Sequence, residues 1–336
     1  MRAAAPTAMR METEVPATFV MPLYADRPQS GTWLDEAVSA LVAQTDPNWR
    51  LVIVDDLSPD LGARERMLAI GREHADRVTV LPQQRHRGAG PCRNIGVAWA
   101  SEQGSPLVLF NDADDVSHPR RLEAVKALLG RRPGAGFVYS RVRVVDERGL
   151  PLAREGLVPA LQEILESHDG VPVEGADGWI RMGTETGYTC VTSTVAVRTE
   201  VAVAHPFPDV PFSEDAHTWL RMAAQAEMAY ADGIPTRYRV PQDVRAQSSR
   251  DRVGTSCDEI KARVDTAGFA AAMSLALRRG RIGRGDPPIL WERFFLRLAQ
   301  TMRRGGRRDL AGSLVERARL ARAGAPDGGS AVPLGG

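Results

Sequence analysis

Residues 107–119 read LVLFNDADDVSHP, with Asp112, Asp114 and Asp115 directly behind an apolar run. Aspartate forms strands poorly, and neighbouring carboxylates oppose one another's ionisation. Hard divalent cations want such oxygens. Mg2+ takes one or two carboxylates and fills its shell from phosphates and water, and Mn2+ has similar preferences. Asp112-Ala113-Asp114 is therefore the candidate metal-binding element, with Asp112 and Asp114 as ligands. A helix cap is the alternative: Asp115 or Ser117 would cap a helix over 119–129, which employs one acid of the three. His118 is either a further ligand or the start of that helix.

Three other stretches carry groups that do chemistry. LVIVDD ends at Asp55-Asp56, where a carboxylate can accept hydrogen bonds from a ligand or simply meet solvent. HRGAGPCRNIG is neither of the common phosphate-loop patterns, yet Gly88 and Gly90 allow close backbone approach. Arg85, Arg87 and Arg93 offer cationic donors suited to a diphosphate; a turn with solvated arginines is the plainer use. Glu214-Asp215 opens a helical pattern, with Ser213 as an expected N-cap. Asp215 is placed to take a proton from a hydroxyl, or the pair only favours the helix dipole.

The elements that must hold these groups alternate. Strand patterns at 18–21, 51–54, 78–81, 107–110 and 137–145 are separated by helical patterns at 33–44, after Pro91, and at 119–129. That alternation implies βαβ units and a mostly parallel sheet, whose ligands bind outside the carboxyl ends of the strands. Both acidic clusters fall there. Farther on, 192–197, 227–231 and 236–240 read as strands. Helical patterns cover 214–226, 258–277, 289–302 and 308–323.

Composition narrows the function classes. The 336 residues carry a net charge of +1, which offers no general attraction to nucleic acid. Cys92, Cys190 and Cys257 lack metal-ligand spacing and are odd in number, as expected in a reducing, cytoplasmic compartment. No run approaches the roughly 20 apolar residues of a membrane span, and the first residues lack the apolar centre of a secretory signal. Arginines gather toward the C-terminal end, around WERFFLRLAQ. Its Trp291, Phe294, Phe295 and Leu298 face a core or a second subunit as a homodimer, or contact a membrane surface peripherally.

Taken in order, VMPLYADR, LVIVDD, GAGPCRNIGV, LVLFNDADDVSHPRRLE and FSEDAHTWLRM resemble the family 2 glycosyltransferases with the GT-A fold, over residues 17–240. The resemblance implies an α/β, Rossmann-like fold: a mostly parallel central sheet flanked by helices, with a helical C-terminal extension. The implied divisions are a flexible tail at 1–16 and a catalytic domain at 17–243. That domain splits into a nucleotide-sugar half (17–146) and an acceptor and base half (147–243). Helices follow at 244–323 and a disordered tail at 324–336. The implied activity is metal-dependent, inverting transfer from a nucleotide-diphosphate sugar to a glycan, metabolite or peptide acceptor, with Mn2+ or Mg2+. Carried over residue by residue, Pro22, Leu23 and Tyr24 border the base and Asp56 contacts the nucleoside. Arg93 binds the donor, Asp112, Ala113 and Asp114 form the DxD element, Asp215 is the base, and Arg239 lies near the diphosphate. The chain departs from the pattern at Ala25 and Arg87, where the family often has asparagine, and has no QxxRW element of processive synthases. The rival readings are a nucleotidyltransferase, which would want a lysine-bearing loop near the first strand, and a catalytically silent sugar-nucleotide-binding protein.

Overall fold

The computed structural model describes residues 15–242 and 257–323. Its framework is a seven-stranded sheet of order β3-β2-β1-β4-β7-β5-β8. The strands are β1 (Ala17–Leu23), β2 (Trp49–Asp55), β3 (Val78–Pro82), β4 (Leu107–Phe110), β5 (Ala135–Tyr139), β7 (Ala196–Arg198) and β8 (Glu227–Tyr230). β7 runs antiparallel to both its neighbours, and the other pairings are parallel.

Strand residues alternate between two cores, because successive side chains point to opposite faces. Val20, Val52, Val54, Val108 and Phe110 enter one core. Phe19, Met21, Leu51, Ile53 and Leu109 enter the other. With both faces covered, the central strands read as continuous apolar runs. The second core is closed by α1 (Ser30–Val42), α2 (Leu61–Glu73) and α4 (Arg121–Arg131), through Leu34, Val38, Leu41, Met67, Ile70, Leu122 and Val125. The first is closed by α3 (Ala89–Glu102), α8 (Glu214–Gln225) and the C-terminal helices.

The expected first strand runs on through Pro22. β4 pairs with β1 only at Thr18–Val20, so the N–H that proline lacks falls where that side is already open. The strand expected over 137–145 is two strands. The chain leaves the large sheet after Tyr139, and β6 (Val142–Val145) pairs with β9 (Thr236–Arg239) in a separate parallel pair. The expected strand at 192–197 is a short turn followed by β7.

Between β6 and β8 lie α5 (Pro159–Asp169), α6 (Gly178–Arg181) and α7 (Thr199–Ala204). The C-terminal helices are α9 (Cys257–Arg278), α10 (Pro287–Arg304) and α11 (Arg308–Arg322). The aromatic stripe of α10 turns inward. Phe294 stacks on Phe269 of α9 with ring centroids 4.3 Å apart, and Phe269 meets Trp179 at 5.5 Å. No helix among the described residues is long and apolar enough to cross a membrane. Residues 1–14 of the tail expected at 1–16, and the tail expected at 324–336, lie outside the described residues, as does 243–256, where the catalytic and helical divisions were expected to meet.

Candidate active site

β1, β2 and β4 run parallel, so their carboxyl ends open on one rim. There the chain encloses a cavity of about 960 Å³ lined by Pro22, Leu23, Tyr24, Asp56, Arg93, Asp112, Ala113, Asp114, Asp215 and Arg239. These residues come from segments more than 200 positions apart, and every residue that the family resemblance assigned to the site is among them, while Asp55, Asp115 and His118 are not.

The two acids ending β2 divide their work. Asp55 closes its own turn by accepting from Ser58 N at 3.0 Å. Asp56, almost wholly buried, accepts from Arg87 N and Gly88 N at 2.7 Å each, and His86 Nδ1 lies 2.8 Å from its Oδ2. Asp56 thus anchors the glycine loop. Gly88 has φ 93°, a region that glycine enters freely, and it turns the chain into α3. Tyr24 and His86 lie ring against ring, 4.2 Å between centroids, at the same end of the cavity.

Behind β4, the acidic loop is built on buried hydrogen bonds. Asn111 Nδ2 donates to the carbonyls of Asp112 and Asp115 at 2.9 and 3.2 Å. Its Oδ1 accepts from Ser117 Oγ at 2.6 Å. Arg121, 1% exposed, donates to Ser117 Oγ and to the carbonyls of Phe110 and Val195. Burial pulls its guanidinium down to about 9. Neither Asp115 nor Ser117 caps the following helix; Asp115 Oδ1 instead accepts from Arg239 N at 2.9 Å. His118 begins the next turn, its Nδ1 accepting from Arg120 N.

Asp112 and Asp114 face the cavity. Burial, and then the neighbouring charge of Asp112, push the Asp114 carboxyl up to about 6. Asp115 is raised well above the usual range by burial, then by Asp114 and Asp112. Burial therefore disfavours the anionic forms of Asp114 and Asp115 in this loop. Among the described residues no set of three His, Cys, Asp or Glu side chains gathers as a metal cage. Two carboxylates opening on one cavity, Asp114 disfavoured as an anion by burial, fit a hard divalent cation whose remaining oxygens come from a ligand's phosphates and water.

Arg93 links this loop to the other acidic pair. It is buried, with NH2 2.8 Å from Asp112 Oδ1 and NH1 2.8 Å from Glu214 Oε1. Glu214 is thereby occupied, and Asp215 lines the cavity. Burial raises the Asp215 carboxyl, opposed by the charge of Arg93 and by the bond that Oδ1 accepts from Ala216 N at 2.7 Å. A raised carboxylate pKa moves toward the operating range of a general base. Ser213 does not cap α8 as expected. Its φ is 65°, and its Oγ donates to Asp265 Oδ1 at 2.6 Å.

Arg239 lines the cavity wall, and its guanidinium braces the loop. Nε donates to Asp114 O at 2.9 Å, NH1 to Glu147 O at 2.8 Å, and NH2 pairs with Glu36. Tyr238 and Lys261 line the cavity and Arg121 braces the acidic loop, and none of the three stood out in the sequence. Arg121 had a signal: with Val125 and Leu128 it occupies a buried helical stripe, where an arginine needs partners. Tyr238 alternates with two arginines in its strand, and its hydroxyl is held well above the ordinary tyrosine range by burial, then by the surrounding aspartates.

Residues 18–183 match the family model described as glycosyl transferase family 2. This segment is a family 2 glycosyl transferase domain. The chain is 30% identical over 112 residues to an uncharacterized glycosyltransferase of Haemophilus influenzae, covering 33% of this chain and 35% of that protein. It is 25% identical over 118 residues to the Escherichia coli UDP-Glc:alpha-D-GlcNAc-diphosphoundecaprenol beta-1,3-glucosyltransferase WfgD, covering 35% and 43%. The match thus spans less than half of either relative. With the putative teichuronic acid biosynthesis glycosyltransferase TuaG of Bacillus subtilis it is 26% identical, over 59% of this chain and 69% of that one. The chain shares its fold with S. aureus TarS 1-349, solved in complex with UDP, at a TM-score of 0.50 and 17% identity over 92% of this chain and 90% of the other. The fold is therefore GT-A, and the helical region after residue 257 is part of the superposed length.

Proposed function

We propose that this glycosyltransferase transfers a sugar from a nucleotide-diphosphate donor to an acceptor hydroxyl with inversion, using Asp215 as general base. What carries the reading is that one cavity is lined by the Asp112–Asp114 loop, by Asp215, and by Arg93, which reaches from the loop to Glu214 beside the base. Asp56 holds the glycine loop, and Tyr24 and His86 offer ring faces for the base of the nucleotide. Asp112 and Asp114 would hold Mn2+ or Mg2+, which when bound supplies positive charge against the charge that grows on a departing diphosphate. Arg93 fixes the direction of Asp112, and Arg239 fixes the loop carbonyl of Asp114.

Asp215 takes the acceptor proton as that oxygen attacks the anomeric carbon from the face opposite the leaving group. The logic is that of an inverting hydrolase, with the acceptor in place of water. The name of the Escherichia coli relative specifies a UDP-sugar donor and a lipid-linked acceptor. We carry over the donor class, and leave the acceptor as a glycan, metabolite or peptide that reaches Asp215 from the side of α5 and α9. A cytoplasmic setting fits the buried thiols of Cys92, Cys190 and Cys257.

The test is Asp215→Asn, assayed for donor hydrolysis and transfer with several nucleotide sugars and Mn2+. Turnover is expected to fall roughly 10²-fold or more with nucleotide affinity nearly unchanged. A large loss of donor affinity with little change in turnover would make Asp215 a binding residue.

A further inference from the structure

Ser213 stands immediately before Glu214 and Asp215 in the left-handed region, with φ 65° and ψ 20°. A residue with a Cβ seldom rests there without something to hold it. The hydroxyl that would ordinarily cap α8 instead crosses to another element, donating to Asp265 Oδ1 of α9 at 2.6 Å. The second oxygen of Asp265 takes Lys261 Nζ at 2.7 Å. Ser213, Asp265 and Lys261 are all buried, so water does not substitute for these bonds. One helical turn farther along α9, Gly268 lies against α8. A Cβ at Gly268 would stand 2.7 Å from His217 Cα and 3.0 Å from His217 O, so only glycine permits this approach. Lys261, Asp265 and Gly268 are spaced by four and then three residues, which puts them on one face of α9. That face is seated on the first turn of α8 at two places, and α9 lies wholly outside the segment that matches the family model.

We propose that Asp265 is a positioning residue: through Ser213 it fixes the strained turn that aims Asp215 into the cavity, making α9 part of the catalytic unit. Lys261 neutralises Asp265, which would otherwise place an uncompensated charge beside the base. This inference rests on the reading of Asp215 as the base, and the experiment separates the two.

The variants are Ser213→Ala, Asp265→Ala, the double variant and Asp265→Asn. They are measured for kcat, for donor KM and for amide hydrogen exchange over residues 214–217. Each alanine variant is expected to lower kcat about tenfold, since a small misplacement of a reacting group costs that much or more. Donor KM should stay within about twofold, and the double variant should be no slower than the slower single one, because both remove the same interaction. Asp265→Asn keeps an oxygen for Ser213 and should retain most of the turnover. Exchange over 214–217 should quicken in both alanine variants. Wild-type kcat in both, additive losses, or a parallel change in donor KM would overturn the positioning role. Exchange unchanged from wild type overturns the clamp whether or not Asp215 is the base. If instead Asp215→Asn keeps full turnover while exchange quickens, the base reading fails and the clamp stands. Should Asp265→Ala not fold, Ser213→Ala carries the same comparison.

Discussion

Replacing Arg93 by methionine tests the centre of the site. The side chain is 4% exposed and serves two carboxylates at 2.8 Å, with its guanidinium 5.4 Å from the Phe207 ring. Methionine keeps much of the volume and removes the charge. Removing one partner of a buried ion pair costs about 3–5 kcal/mol, because the other charge is left uncompensated. Here the stranded groups retain some water, Asp112 at 25% and Glu214 at 17% exposure, so the lower end, about 3 kcal/mol, applies. Against a total of roughly 5–15 kcal/mol that is a large fraction. With about 2–4 °C per kcal/mol for chains of this order of size, Tm should drop by roughly 6–12 °C. The assay is guanidinium and thermal unfolding followed by circular dichroism, without ligand. Arg93→Lys should fall between wild type and Arg93→Met, since one ammonium cannot present a fork to both acids. A Tm within about 2 °C of wild type for Arg93→Met, or a lysine variant as stable as arginine, would refute the bridge as a structural element.

Three further outcomes are expected. Asp114→Asn should lower transfer at least roughly 10²-fold and leave stability equal or higher, because burial and Asp112 already penalise the Asp114 charge at neutral pH; full activity in excess EDTA would contradict this. Asp56→Ala removes the acceptor of two backbone N–H groups at 2.7 Å and should weaken nucleotide binding, read by calorimetry, more than it slows turnover at saturation; unchanged affinity would leave Asp56 without a role in the donor site. His168 is buried beside Thr189 O, and burial lowers it to about 4. A histidine held neutral when folded contributes stability above the unfolded value near 6.5, lost as pH falls toward 4. Between pH 7.5 and 5 wild type should lose about 2 kcal/mol more than His168→Gln, measured by denaturant midpoints; equal losses would refute the assignment.

Much of this arrangement was legible from short-range pattern. Apolar runs in β2 and β4 with acids behind them, alternating with helical patterns, announced a parallel sheet with its chemistry at one rim, since period and turn chemistry are local. Asp112 and Asp114 stood out because carboxylates in such places need a reason, whereas Asp215, in a helix's first turn where an acid suits the dipole, was singled out only through the family resemblance. The division of 137–145 into two strands was hidden, because Ser140 and Arg141 interrupt the run without glycine or proline and only the partner strand β9 decides the break. Glu214 lies 121 residues from Arg93 and Asp265 lies 52 from Ser213, and no periodicity encodes such pairings. Ser213 misled for a physical reason: serine before an acidic first turn is a capping pattern, and the competing acceptor on α9 won. The resemblance sets Arg239 near the diphosphate; the carbonyls of Asp114 and Glu147 to which it donates are invisible in sequence.

The long span of the Arg93–Glu214 and Ser213–Asp265 contacts has a temporal side. A ribosome adds roughly 5–20 residues per second, so the acidic loop is made on the order of ten seconds or more before α9 exists. In that interval β1 to β4 are already in the chain, but Asp265 is not. The turn bearing Asp215 has not yet met the helix that holds it. An unfinished chain therefore presents the acidic loop before Ser213 has its partner on α9, and the cavity takes its final lining only near the end of synthesis.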